Sequence, residues 1–168
     1  MKGIKSYIIT GIIFVFVIGT LSHFLYDWSG NNVIVGLFTP VNESVWEHTK
    51  LLFFPMLIYS YLSKKATKTY PCIRKGIILG KFIGIILIIT LFYTYTGIIG
   101  FNFAFADISI FYISVILAFY VAYKVTVSCT SNTYTPILKI LQFTIIILYI
   151  IYTLYPPQIP LFISPESV

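Results

Sequence analysis

The chain contains five long apolar runs, and nine of its 16 charged residues lie outside them. The runs cover residues 6–26, 43–63, 76–98, 103–125 and 135–155. Each approaches or exceeds the roughly 20 residues that an α-helix needs to cross the hydrocarbon core of a bilayer. The pattern predicts an all-α membrane protein, a single domain over residues 1–168 built as a bundle of five transmembrane helices.

Composition supports the same class. Hydrophobic residues make up 58% of the 168 residues and charged residues only 10%, a balance typical of membrane proteins. The first run follows Lys2 and Lys5 as a secretory signal would, but it is too long and lacks a small-x-small cleavage site, so we expect a retained helix. The net charge of +6 would suggest nucleic acid in a soluble protein. Here the basic residues cluster at the ends of the runs, so the expected partner is the lipid bilayer and not nucleic acid.

The basic residues also predict the topology, because Lys and Arg accumulate on the cytoplasmic side of membrane proteins. That side would hold Lys2, Lys5, Lys64, Lys65, Lys68, Arg74, Lys75, Lys124 and Lys139. The N-terminus is then inside and the C-terminus outside, in a multi-pass protein of the cell membrane. Lys81, about two turns into the third run, is expected to snorkel back to the cytoplasmic surface. Cys72 and Cys129 fall on the reducing side, so no disulfide is expected.

The second run opens with a polar stretch, "NESVWEHTK" at residues 42–50. Only residues 51–62 are apolar without charge, and 12 helical residues span about 18 Å of the roughly 30 Å required. Glu47, His48 and Lys50 are therefore expected within the outer leaflet. The same counting places His23 and Asp107 at that depth. Ionisable groups at such depth are costly unless they face one another or a cavity, so the sequence predicts a polar pocket that opens to the outside.

These residue types suit a divalent metal such as zinc, iron or manganese. The candidate ligands are His23, Glu43, His48 and Asp107. Asp27, one helical turn after His23, is expected to orient its ring, and Asn42 and Tyr93 are the other expected outer-shell residues. No dedicated metal motif such as H-E-x-x-H is present.

Two interpretations of Glu47 and Lys50 follow. In a membrane-embedded metal-assisted hydrolase, Glu47 or the metal would activate water and Lys50 would stabilise developing negative charge. Alternatively, Glu43 and Glu47 stabilise a helix N-terminus, and Lys50 pairs with them.

The leading hypothesis is thus an outer-leaflet, metal-capable pocket that binds or hydrolyses an envelope or lipid-linked molecule. The alternative is a non-enzymatic accessory or scaffold subunit, with Gly76, Gly80 and Gly84 offering a close-packing face to a membrane-protein partner. Ion or solute translocation is a third hypothesis. It requires a second polar layer toward the cytoplasm, for which the sequence offers Lys81 and Gln142.

Two connecting segments carry further signals. Residues 28–41 open with a turn at Gly30-Asn31-Asn32, and the second helix has competing starts at Thr39-Pro40, at Asn42 and at a Ser44/Glu47 capping box. The tail, residues 156–168, is Pro-rich and is expected to be extended, with Leu161 to Ile163 resting on lipid or over the outer mouth of the bundle.

The chain resembles a family of small, functionally uncharacterised integral-membrane proteins of Gram-positive anaerobes. The likeness rests on "HFLYDWSGNN", "VGLFTPVNESVWEHTKLLFFP", "FYTYTGIIG" and "PPQIPLF", and extends over nearly the whole chain. The resemblance implies the same outward-facing motifs and supplies no activity or cofactor.

Overall fold

The computed structural model describes residues 2–62, 69–128 and 135–165, and all regular elements in these ranges are helical. The helices are α1 (Lys2–Trp28), α2 (Val33–Gly36), α3 (Val45–Leu62), α4 (Ile73–Ile99), α5 (Ala104–Ser128) and α6 (Thr135–Leu154), followed by a 3-10 turn at Pro160–Phe162. Lys64, Lys65, Lys68 and Cys129, which entered the sequence predictions, lie outside the described residues.

Four of the described helices are long and apolar enough to cross a membrane: Gly3–Trp28, Ile73–Ile99, Ala104–Ser128 and Thr135–Leu154. On α1, the side chains of Ile9, Ile13 and Val17 are more than half exposed along one face. Such an apolar stripe is unfavourable in water and suits lipid contact. The chain thus has the character of a multi-pass membrane protein.

The second predicted span differs from the other four. Helix α3 has 18 residues, and its first turns carry Glu47, His48 and Lys50, which lower its hydropathy below that of the four spans. Twelve of its residues are buried, so α3 lies in the middle of the bundle with little surface for lipid. A fifth membrane crossing and its direction stay predictions.

Alternating helix directions bring the connections 29–44 and 100–103 to one end of the bundle. Contacts between His23 and His48, Tyr95 and Asp107, and Glu47 and Thr153 join five helices there. We call this end, where α1, α4 and α6 finish and α3 and α5 begin, the histidine end. The first hydrophobic cluster packs α1, α3, α4 and α5 together, and a second joins α3 to α6 and the tail.

The glycines of α4 pack inside the chain. A methyl group at Gly76 or Gly80 would overlap the carbonyl oxygen of Ala122 or Ala118 on α5, and one at Gly84 would meet Leu52. Since these faces are already filled by α5 and α3, the glycines serve close helix approach within the protein. They offer no free surface to the partner that the sequence suggested.

The start of α3 resolves the three alternatives. The helix begins at Val45, and the Ser44 hydroxyl accepts a hydrogen bond from the Glu47 N–H at 3.4 Å, so Ser44 acts as the cap. The reciprocal half of a capping box is missing: the Ser44 N–H donates to the Asn42 side chain at 2.9 Å, and the Glu47 carboxylate accepts from the Val41 N–H at 3.0 Å. Gly30 and Asn31 form the predicted turn with φ of 70° and 60°.

Two expectations at the opposite end were wrong. Cys72 is disulfide-bonded, although a reduced thiol was expected from its predicted compartment; Cys129 lies outside the described residues. Lys81 does not snorkel outward but is 1% exposed. Its ammonium group donates to the Gln142 side chain and lies 5.0 Å from the Phe53 ring centroid. The reason is orientation, because Lys81 lies on the face of α4 that packs against α3 and α6.

Candidate functional site

The histidine end holds a cluster of three side chains, which we call the His–Glu–His cluster: His23, Glu43 and His48. The Nε2 atoms of His23 and His48 lie 3.2 Å apart. The Glu43 Oε2 atom lies 3.5 Å from the first and 3.3 Å from the second. Three potential metal-donor atoms therefore form a nearly equilateral triangle, and the sequence-predicted ligands His23, Glu43 and His48 do come together.

Three separate chain segments position this cluster. His23 lies near the end of α1, His48 is the fourth residue of α3, and Glu43 precedes the Ser44 cap. The hydrogen bond from the Ser44 N–H to the Asn42 side chain spans the turn that holds Glu43, and an outer-shell role for Asn42 stays a prediction. The cluster is partly exposed, with side-chain exposures of 31% for His23, 28% for His48 and 52% for Glu43.

Hydrogen bonding sets the state of two of these groups. His48 Nδ1 lies 3.0 Å from the Ser44 carbonyl oxygen, to which it can only donate. Its Nε2 can therefore donate to Glu43 in the protonated ring, and offers a lone pair to a metal in the neutral ring. Two hydrogen bonds, the larger effect coming from His23 and the smaller from His48, hold the pKa of Glu43 well below its ordinary value. Glu43 is thus ionised at neutral pH, as a metal-binding carboxylate must be.

The triangle has the dimensions of a zinc site. Zinc bonds of about 2.0–2.1 Å in a tetrahedron place neighbouring donor atoms about 3.3–3.4 Å apart. The three observed separations are 3.2, 3.3 and 3.5 Å. A zinc ion held by these three donors would keep a fourth position open, as catalytic zinc sites do. The backbone carbonyl on the far side of His48 is the kind of outer-shell partner that metal-bound histidines use.

The cluster lies on the wall of a cavity of about 560 Å³. Its other lining residues are Thr20, Phe24, Val45, Leu51, Ile88, Phe92, Asn102, Phe103, Ala104, Asp107, Ile108, Ile110, Phe111, Tyr112 and Pro165. His23, Glu43, His48 and Asp107 lie near the histidine end, whereas Leu51, Ile88 and Phe111 lie further along their helices. Thr20 and Tyr112 also lie deeper, and their hydroxyl groups are 3.3 Å apart, within hydrogen-bonding distance of each other. The cavity is therefore polar at one end and mostly apolar in its depth.

Asp107 lies in this cavity but does not join the triangle. Its Oδ1 accepts a hydrogen bond from the Tyr95 hydroxyl, which in turn accepts from the Phe103 N–H at 3.3 Å. Asp107 is still near enough for its charge to act on His48. Tyr95 was not among the predicted site residues. Tyr93 and Tyr95 lie in the same apolar stretch, and only the packing of the helices shows which of the two tyrosines faces α5.

Glu47 and Lys50 lie outside the cavity, in a buried network. The Lys50 ammonium contacts Glu47 Oε2 at 2.7 Å, the Thr153 hydroxyl at 2.6 Å, and the Gly36 and Thr39 carbonyls at 2.9 and 3.3 Å. The side chain of Lys50 is 0% exposed and that of Glu47 is 3% exposed. This pair cannot touch a molecule in the cavity; it fastens the segment before Glu43 to α3 and α6.

Asp27 and Tyr93 are also separated from the cluster. Asp27 is exposed, and among the described residues its side chain makes no hydrogen bond, so it does not orient His23. Tyr93 lines a neighbouring cavity of about 220 Å³ with Thr96 and Pro160. Glu43, and not Asp27, is the carboxylate that meets His23, because the 29–44 connection folds back over the end of α1.

Helices with the length and apolarity of membrane spans define a helical membrane-type protein, and a His–Glu–His cluster lies on the wall of its cavity. The chain belongs to a family of unknown function, DUF6512, whose match covers residues 1–167. The expectation of an uncharacterised family is thereby confirmed. Searches among curated proteins and among solved structures give no match.

Proposed function

We propose that this protein is a metal-binding protein of the cell membrane that takes an amphiphilic envelope or lipid-linked molecule into its cavity. The metal is held by His23, Glu43 and His48. The observation that carries the proposal is the triangle of donor atoms, whose edges match a tetrahedral site with one position open.

Zinc is the metal that best fits two imidazoles and one carboxylate at these separations. Iron and manganese share these ligand types and are the other outcomes of a metal analysis. Asp107 lies outside the triangle of donor atoms, so it is a nearby carboxylate and not one of the three ligands.

The orientation of the site supports an envelope ligand. Lys5, Arg74, Lys75 and Lys124 all lie toward the other end of the bundle, the end that the positive-inside rule assigns to the cytoplasm. The His–Glu–His cluster then faces outward. A ligand with a polar head at this end and an apolar chain in the depth of the cavity would match its lining, and 560 Å³ falls in the usual range for small-molecule sites.

Elemental analysis of protein purified without chelators tests the metal. We expect about one zinc per chain, and loss of that zinc in the double variant His23→Ala/His48→Ala. Asp27→Asn is the matched control, since it removes a carboxylate near His23 that contacts neither histidine. A wild-type protein that binds less than a tenth of a metal ion per chain, even after incubation with zinc, would overturn the proposal.

The same cluster also supports a second candidate, a non-enzymatic accessory subunit. Glu43 bonds to both histidines, so the three groups join α1, the connection and α3 without a metal. In that case the double histidine variant lowers thermal stability equally with and without added zinc, and a defined membrane protein co-purifies with the wild type.

A further inference from the structure

We infer that Asp107 is the general base of an ester hydrolase site whose substrate is a neutral, long-chain acyl ester. The inference rests on the proposed metal site and adds the reaction, the base and the substrate class.

The first support is the way in which Asp107 is held. Tyr95 donates to Oδ1 and is itself fixed by the Phe103 N–H, so the carboxylate has a set direction. Its Oδ2 has no hydrogen-bond partner among the described residues, while the residue lines the cavity shared with His23 and His48. A carboxylate with one oxygen anchored and the other free is arranged as a proton acceptor whose orienting partner is already in place.

The second support is charge. A divalent metal brings two positive charges, and the carboxylates of Glu43 and Asp107 balance them while both histidines bind as neutral rings. An anionic head group would give the site a net negative charge, and a cationic head group a net positive charge. A neutral group with a Lewis-basic carbonyl oxygen keeps these charges balanced and therefore fits best.

The third support is the apolar depth of the cavity. Leu51, Ile88 and Phe111 continue the wall away from the polar end. An acyl chain lying along them places its ester carbonyl near the His–Glu–His cluster. Phe24 and Ile108, which also line the cavity, are 45% and 54% exposed on α1 and α5, so a chain can enter from the lipid side.

The reaction consumes one water per ester. Asp107 takes a proton from the water as the water oxygen bonds to the acyl carbon. A metal held by His23, Glu43 and His48 would polarise the carbonyl oxygen of the ester. The tetrahedral intermediate then expels the alcohol: the acyl carbon–oxygen bond breaks, and protonated Asp107 returns its proton to the departing alkoxide. A fatty acid and an alcohol result, with no change in oxidation state.

Hydrolysis of p-nitrophenyl laurate by zinc-loaded protein in nanodiscs tests this reaction, with p-nitrophenyl acetate as the short-chain comparison. We expect kcat/KM to be at least tenfold higher for the laurate. Asp107→Asn should lower kcat by about 100-fold or more, the usual range for a general base, while the zinc content stays near one per chain. Tyr95→Phe should lower kcat by about tenfold with KM unchanged, because it frees the base without altering the acyl site. Asp27→Asn is the control and should match the wild type.

Two failures are distinguishable. Zinc bound at one per chain without laurate hydrolysis above the zinc-free protein, or with Asp107→Asn as fast as the wild type, would overturn this inference and leave the metal site standing. Absence of zinc binding would overturn both.

Discussion

The ammonium group of Lys50 lies 2.7 Å from a carboxylate oxygen of Glu47, and both side chains are shut away from the cavity. Glu47 also accepts from the Val41 N–H, and Lys50 donates to the Gly36 and Thr39 carbonyls. The pair therefore holds residues 36–41 in place, just before Glu43. It acts on the site by position and not by contact.

We expect Lys50→Met and Glu47→Gln each to destabilise the protein by about 3–5 kcal/mol, because each leaves a buried charge without its partner. The double variant should lose less than the sum of the two. Thermal unfolding in detergent measures this, with Lys139→Met, at an exposed lysine, as the control. Zinc affinity should fall in both single variants since Glu43 is no longer held. Unchanged zinc affinity in both single variants would show that Lys50 and Glu47 do not position Glu43.

A second expectation concerns the glycine contacts between α4 and α5. Gly80→Ala should cost about 1–3 kcal/mol, because the added methyl group meets the Ala118 carbonyl oxygen and the helices must separate. Gly97→Ala is the matched control on the same helix. Nothing lies within 4 Å of a methyl group there, so this change should be neutral or stabilise the protein by up to about 1 kcal/mol. Equal thermal shifts in the two variants would contradict the packing argument.

The tail gives a third expectation. Phe162 is 8% exposed, and its ring centroid lies 5.2 Å from that of Trp46 and 4.8 Å from that of Tyr152. Phe162→Ala should cost about 3 kcal/mol and let water reach Trp46. In a Trp28→Phe background, where Trp46 is the remaining tryptophan, its fluorescence should shift to longer wavelength. Ile159→Ala, at a half-exposed position, should leave the spectrum in place.

The fourth expectation is a pH dependence of the metal-free protein. Hydrogen bonds from His23 and His48 lower the folded-state pKa of Glu43 below its ordinary value of 4.5. A depressed carboxyl pKa stabilises the folded state above the unfolded pKa, and this contribution is lost as the pH falls below about 4.5. Thermal unfolding between pH 3 and 6, with chelator present, should show this loss. Glu43→Gln should show a shallower decline over the same range, and parallel curves would rule out the assigned cause.

The sequence predicted the cluster through depth, since counting residues along each span placed His23, His48 and Asp107 at one level. Counting could not show which side each residue faces. Asp27 is one turn from His23, yet it points outward, and Lys81 is buried where its distance from the end suggested exposure. Facing is decided by packing between helices, which spacing within one helix leaves open. The place of Tyr95 in the site is likewise decided by helix packing, because its hydroxyl bonds to Asp107 on α5.

The helix boundaries were easier, because apolar runs and turn residues mark where a span can begin and end. The predicted start of α3 stayed ambiguous since Pro40, Asn42 and Ser44 all favour helix initiation. In the structure Ser44 is the cap, because its hydroxyl accepts from the Glu47 N–H. The Glu47 carboxylate bonds to Val41 and Lys50 instead of completing a capping box.

Helices α4 and α5 form a closely packed hairpin, because Gly76 and Gly80 let their backbones approach. Tyr95 and Asp107 both belong to this hairpin, whereas His23, Glu43 and His48 come from the hairpin of α1 and α3. Each hairpin therefore carries one of the two groups of polar side chains that form the proposed site. The distance between these two hairpins depends on the contact between Leu52 on α3 and Gly84 on α4. A change of residue size at this contact would alter the distance between Asp107 and the His–Glu–His cluster without touching either, so the proposed reaction could be tuned from outside the cavity.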